Sequence, residues 1–307
     1  MYKIGNFSMS HQKTAFSVEG YYDAVNFSAA DLKSSPNSLT ARKMCGKHKS
    51  PNYIWEFIIC PSVGFLGNPE PLPKDCELKI SFDRASPKTS VLKIGDTLKT
   101  EISEPFDIKD VVATTEYVSS PHWREYFSQI SDRPLTFNFD ECEVMIKNIP
   151  NGETEIRFDN IRGGNIPQCM FLGILPQNSL KGDTSVSSTQ FKSQKVTQMN
   201  ISLDGTSVNG YPLAIKNDSS IAPLQKFLDV TNRYYNIQAG DCVDLQEFPY
   251  NWIWSHAFES ESSGQGWLSV DFKLSSAYST NMALVCWIIY PSCITIDKFN
   301  QVERINL

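Results

Sequence analysis

Residues 282–290 read MALVCWIIY, nine apolar residues in a row, and the reading of that run decides the fold. A membrane-spanning helix needs roughly 20 such residues, so the run is of strand length. Pro291-Ser292 interrupts it, and the alternating stretch Ile294-Thr295-Ile296-Asp297 follows, which also reads as strand. Working back along the chain, strands are expected at 266–274, 252–257, 196–203, 168–175, 155–158, 143–149 and 135–139, besides 281–290 and 293–297 themselves. Weaker strand patterns lie at 53–59, 76–82, 91–94 and 96–102. Turn chemistry separates them: Asn151-Gly152, Gly163-Gly164-Asn165, Asp204-Gly205 and Asn209-Gly210. The last two bracket a short excursion ending in Tyr211-Pro212-Leu213, which reads as a hairpin or chain reversal.

Helical periodicity is scarce. Ile221, Leu224, Phe227, Leu228 and Tyr235 share one helix face after the capping run Asn217-Asp218-Ser219-Ser220. A weaker candidate, 122–130, places Trp123, Tyr126, Phe127 and Ile130 together after Pro121. Strands recurring every 10–15 residues or so without intervening helices point to an all-β sandwich or jelly roll. The absence of a fixed-period repeat counts against a propeller or solenoid.

With 41% hydrophobic and 12% aromatic residues in 307, the chain has ample material for a core. A net charge of −6 argues against coating nucleic acid, which needs a basic face. The N-terminal MYKIGNFSMSHQK has neither the basic nor the apolar region of a signal peptide, so the expectation is a protein that is not secreted. The eight cysteines (Cys45, Cys60, Cys76, Cys142, Cys169, Cys242, Cys286, Cys293) form no C-x-x-C pair and have no histidine at ligand spacing. Most sit in apolar runs and read as buried thiols acting as small hydrophobes. The sequons at Asn6, Asn26, Asn200 and Asn217 then carry no meaning.

Motifs that carry chemistry are few in this sequence. Of His11, His48, His122 and His256, only His256, after Trp254-Ser255, could belong to a Ser/His arrangement, and no G-x-S-x-G elbow supplies a nucleophile. The plainer reading is a strand-end histidine. Gly163-Gly164 lacks the spacing and lysine of a phosphate loop and reads as a turn. In Asp140-Glu141-Cys142-Glu143, paired carboxylates could hold a cation or act in glycoside hydrolysis, the enzyme version using Asp140 and Glu143. A solvated strand face is the plainer reading. Asp241, Asp244 and Glu247 miss the calcium-loop pattern. The expectation is therefore no enzyme, no catalytic, cofactor or metal residues, and no cofactor. The remaining candidates are aromatic: Tyr234, Tyr235, Tyr250, Trp252 and Trp254 cluster in sequence. They either fill the sandwich interior or form an exposed interaction surface for a subunit or a glycan.

The order of several segments resembles the hexon-like, double jelly-roll major capsid proteins of adintoviruses and Maverick/Polinton elements. LTFNFDECEVMIK (135–147) is followed by 156–160 and by Phe171-Leu172-Gly173-Ile174-Leu175-Pro176, which is similar to the family's "FLGQLP" segment. Residues 196–208, ending Asp204-Gly205-Thr206-Ser207-Val208, resemble its strand with a "VDGQQV" turn, and Tyr211-Pro212-Leu213 stands where it has "PSKPL". The helix 221–236 falls at its short "YxxL" element, and Ile294-Thr295-Ile296-Asp297 looks like its closing "IEID" strand. Upstream, Phe65-Leu66-Gly67 through Leu78-Lys79-Ile80-Ser81-Phe82 echoes "LLNGVDLKIKL". The Asn- and Phe-rich segment that the family carries after "FLGQLP" is reduced here to Ser187–Phe191.

The resemblance implies an all-β chain with a complete jelly roll in the C-terminal half, 131–307. Residues 1–130 are then expected to form a shorter or partial β region; within them 18–52, irregular and rich in Ser, Asn, Lys and Pro, read from composition as mobile or draped over a surface. It further implies a capsid subunit that self-assembles into the virion shell. Its partners would be further copies of itself, as a trimeric capsomer, and other capsid proteins. It would have no direct nucleic-acid specificity and no membrane span, would reside in the virion, and would be made in the host cytoplasm or nucleus. The rival from another class is a β-sandwich carbohydrate- or ligand-binding module using Trp252 and Trp254.

Overall fold

The computed structural model describes residues 134–181, 195–215, 221–235, 253–258, 265–297 and 301–306. It also describes the pieces 47–49, 52–54 and 76–81, and the single positions 72, 112, 121, 122, 125, 191 and 299. Near the N-terminus, β1 (Lys47–Lys49) and β2 (Asn52–Ile54) form a small antiparallel ladder. The main body carries β3 (Leu135–Ile149), β4 (Glu155–Asn165), β5 (Cys169–Pro176), α1 (Gln177–Leu180), β6 (Val196–Leu203), β7 (Thr206–Ser207) and β8 (Leu213–Ala214). It continues with α2 (Ile221–Tyr235), β9 (Trp254–Ala257), β10 (Gln265–Leu274), β11 (Met282–Ile296) and β12 (Val302–Asn306).

These strands form two antiparallel sheets. In the first, β3 pairs with β11, β11 with β5, and β5 with β9, while β12 extends the far end of β11. In the second, β4 pairs with β10, β10 with β6, and β6 with both β7 and β8. Number β3, β4, β5, β6, β8, β9, β10 and β11 one to eight in chain order. The sheets then read 1-8-3-6 and 2-7-4-5, so each joins strands from both ends of the domain. This is the jelly-roll order, and the fold is all-β with helices as additions.

The core lies between the sheets. Met170, Leu172, Ile174, Leu284, Cys286 and Ile288 from the first sheet meet Met199, Ile201, Leu268, Val270 and Phe272 from the second. The first sheet also has a second buried face. There Phe171, Leu175, Val285 and Ile289 pack against Phe191 and against Phe227 and Val230 of α2. Phe171 and Phe227 meet edge-on with ring centroids 5.8 Å apart. A strand covered on both sides has no reason to alternate, which accounts for the unbroken run 282–290.

Local conformations follow the turn residues. Asp204 and Gly205 have φ of 50° and 79°, as a two-residue type I′ hairpin requires, and Leu203 faces Thr206 across it. After the Asn209-Gly210 turn, a cis Tyr211-Pro212 bond leads into β8, which returns to β6. The expected excursion is thus a reversal.

Several boundaries differ from the sequence reading. Segments 135–139 and 143–149 are one continuous strand, as are 281–290 and 293–297. Pro291 is tolerated within β11 at the point where its neighbour on one side changes from β5 to β12. Gly163 and Gly164 are not a turn. They extend β4, facing Trp267 and Gly266, after a bulge near Asn160 shifts the register. Residues 76–81 are not a strand. Leu72 and Cys76 instead pack on Leu135, Phe137 and Ile296, capping the far end of the β3–β11 pair. The expected strands 91–94 and 96–102 and the capping run 217–220 lie outside the described residues. Of the expected helix 122–130, the described His122 and Glu125 are helical.

Candidate functional site

The aromatic cluster does not assemble as one surface. Trp254, on β9, is completely buried in the core between the sheets, so it cannot take part in an exposed face. Tyr234 and Tyr235 close α2, but their side chains, like Tyr250 and Trp252 altogether, lie outside the described residues.

His256 lies next to Ser255 on the same extended strand, and neighbours there point to opposite faces. A Ser/His pair is therefore not formed by these two. His256 is 6% exposed and packed edge-on between Tyr211 and Phe258, with centroids at 5.3 and 4.8 Å. Tyr211 donates its hydroxyl to the Ser255 carbonyl at 3.0 Å, and burial pushes its pKa up. The group is a packed, desolvated corner of the core.

Asp140 and Glu143 are three residues apart on an unshifted ladder, facing Pro291 and Ile288, and so lie on opposite faces of β3. Burial raises the pKa of Asp140, while Glu141 forms an ion pair with Arg304 of β12. Among the described residues no three His, Cys, Asp or Glu side chains gather as a metal site. Cys169, Cys286 and Cys293 are buried, and Cys142 and Cys76 half-buried. The Cys286 thiol is pushed up to about 12 by burial, so it packs as a neutral group.

The outer face of the second sheet is polar. Lys273 meets Glu155 at 2.9 Å, Arg157 meets Asp159 at 2.7 Å and Asp271 at 3.5 Å, and Asn200 donates to Asp271 at 3.3 Å. Asn200, part of a sequon, is thus engaged in the sheet surface. At one end of this face stands Trp267, 56% exposed. The sequence reading passed over it, although its signal was present. Trp267 shares parity with Ser269, Asp271 and Lys273, while Leu268, Val270, Phe272 and Leu274 point inward. On the first sheet, β3 carries Val144 and Ile146, each about half exposed, on the outer side. They stand opposite Trp287 and Val285 of β11.

No protein-family model and no curated protein matches the chain. Solved structures that resemble it include a chain of the Sputnik virophage (TM-score 0.39, 9% identity, 56% of this chain and 39% of that one). Others are the major capsid protein of mavirus (0.33, 11%, 58% and 43%) and the capsid of the virus PBCV-1 (0.32, 8%, 60% and 54%). The chain thus spans 39–54% of the length of these three neighbours. At such TM-scores they add nothing to the strand order, on which the jelly-roll assignment stands.

Proposed function

We propose that the chain is a structural capsid subunit, similar to the hexon-like major capsid proteins of the adintovirus and Maverick/Polinton type, that self-assembles into a virion shell. Jelly rolls also serve lectins and cupins, so the fold alone leaves the function open. One coincidence carries the reading. The segments whose order resembles the capsid family, 135–147, 171–176, 196–213 and 294–297, are β3, β5, the β6–β8 reversal and the end of β11. The sandwich interior agrees with it, being filled by apolar side chains such as Met199, Phe272 and Leu284.

On this reading the jelly-roll domain begins near residue 131, and residues 1–130 contribute a smaller β region. The subunit works by contacts with further copies, in a trimeric capsomer, and with other capsid proteins, and it resides in the virion without acting as an enzyme. Light scattering coupled to size exclusion, with electron microscopy of the peak, tests this. A closed oligomer, a trimer first of all, is expected at micromolar concentration. A well-folded protein that stays monomeric there overturns the proposal.

A further inference from the structure

We infer that the 142–148 stretch of β3 pairs antiparallel with the same stretch of a second copy of this chain, about a two-fold axis at Met145. β3 borders the first sheet, and β11 is its only strand partner among the described residues. A strand paired along one side offers the backbone N–H and C=O groups of its other side to a further strand.

An apolar band reaches this border. On the outer side of the first sheet, Val285 is buried in the cluster formed with α2 and Phe191, and Trp287 packs against that cluster, edge-on to Phe191. Next to them on the ladder, Val144 faces Trp287 and Ile146 faces Val285, and these two are 50% and 52% exposed. β-branched side chains in such positions are suited to cross-strand apolar pairs.

The order of side chains selects a second copy as the partner. Cys142-Glu143-Val144-Met145-Ile146-Lys147-Asn148 is complementary to its own reversal about Met145. Pairing there sets Val144 against the partner's Ile146 and Glu143 against the partner's Lys147. Each pair forms twice, because a two-fold contact is isologous. Directly opposed Cβ atoms lie about 4.5–5.5 Å apart, so both kinds of pair contribute. Moving the axis by one residue destroys the match. At Val144 it would set Glu143 against Met145, and Lys147 against Glu141, which already pairs with Arg304. At Ile146 it would set Lys147 against Met145, and Glu143 against Ile149, which is buried in the core. Charges on the inner side of a border strand ordinarily keep other strands away. Glu143 and Lys147, half-buried on the same side as Met145, do so for every other sequence and register while answering each other in this one. The inference does not rest on the capsid reading, because the contact joins in pairs whatever oligomer the chain forms.

Cysteine cross-linking on the full chain tests it. Opposed Cα atoms of antiparallel strands lie about 4.5–5.5 Å apart, within disulfide reach. Under mild oxidation Met145→Cys should therefore run as a covalent dimer on a non-reducing gel. The parent should not, and neither should Thr136→Cys, whose mate would fall at residue 154, beyond β3. Should Met145→Cys fail to fold, a mixture of the Val144→Cys and Ile146→Cys variants, altered at exposed positions, is expected to give a covalent heterodimer. Lys147→Glu sets like charges face to face twice and should weaken pairing at least tenfold in sedimentation over a dilution series. Adding Glu143→Lys to it should restore most of that affinity. Absence of cross-linking in the variants that fold, equal cross-linking at Thr136, or a double variant as weak as Lys147→Glu overturns the inference. A trimer that shows no such cross-link overturns it while leaving the capsid proposal standing.

Discussion

The two sheets of the sandwich have the same number of strands and very different chemistry. In the first sheet, β5 reads CMFLGILP and every residue but the last is buried. In the second, β10 alternates, with Leu268, Val270, Phe272 and Leu274 inward and Asp271 and Lys273 outward, while Ser269, on the same outer side, is covered at the β4 bulge, where it accepts the Asn160 N–H. The difference comes from one helix. The apolar face of α2, with Phe191, lies on the outer side of the first sheet, and nothing comparable is described over Glu155, Arg157 and Lys273. Alternation in a strand therefore reports what covers it rather than whether it is a strand. The apolar face of α2 and the unbroken runs in β5 and β11 are two sides of a single contact.

Substitutions at matched depths in the two sheets would break this comparison if it is wrong. Phe171→Ala, on the outer side of the first sheet, should cost about 3–5 kcal/mol in chemical denaturation, as much as Phe272→Ala between the sheets. A loss no larger than that of a surface change would mean that α2 does not cover this face. Gly173→Ala should cost about 1–3 kcal/mol by overpacking, because the added methyl would come within 2.4 Å of the Phe191 ring. Combined with Phe191→Ala, the same change should lose most of its cost. At the small end, Lys273→Ala on the open face of the second sheet should stay within about 0.5 kcal/mol despite its 2.9 Å contact with Glu155.

Much of this architecture was legible in local chemistry, and the exceptions have physical causes. The Asp204-Gly205 hairpin could be read because positive φ at both turn positions demands such residues. The helix 221–235 could be read because its apolar positions keep a helical period. Gly163-Gly164 was misread because a glycine pair signals a turn unless a partner ring fills the space, and that partner, Trp267, lies 104 positions away in sequence. Trp254 could not be placed by parity, since in β9 Ser255 and His256 are buried on opposite sides alike. For Trp267 parity sufficed, since it falls on the side of Asp271 and Lys273. The long β3 and β11 were each broken in two on paper by Asp140-Glu141 and by Pro291-Ser292. Fifteen consecutive register pairs hold them together regardless.

That ladder also fixes an order of events in synthesis. The only strand partner described for β3 is β11, so β3 cannot be zipped along its length until residue 296 has been made. From residue 149 to residue 296 the ribosome adds 147 residues, which takes about 7–30 s at ordinary rates of elongation. Throughout that interval the pairing edge of β3 waits for β11. The β3 edge of a nascent chain is thus open over that whole span, and this part of the sheet closes in one step when β11 has been made.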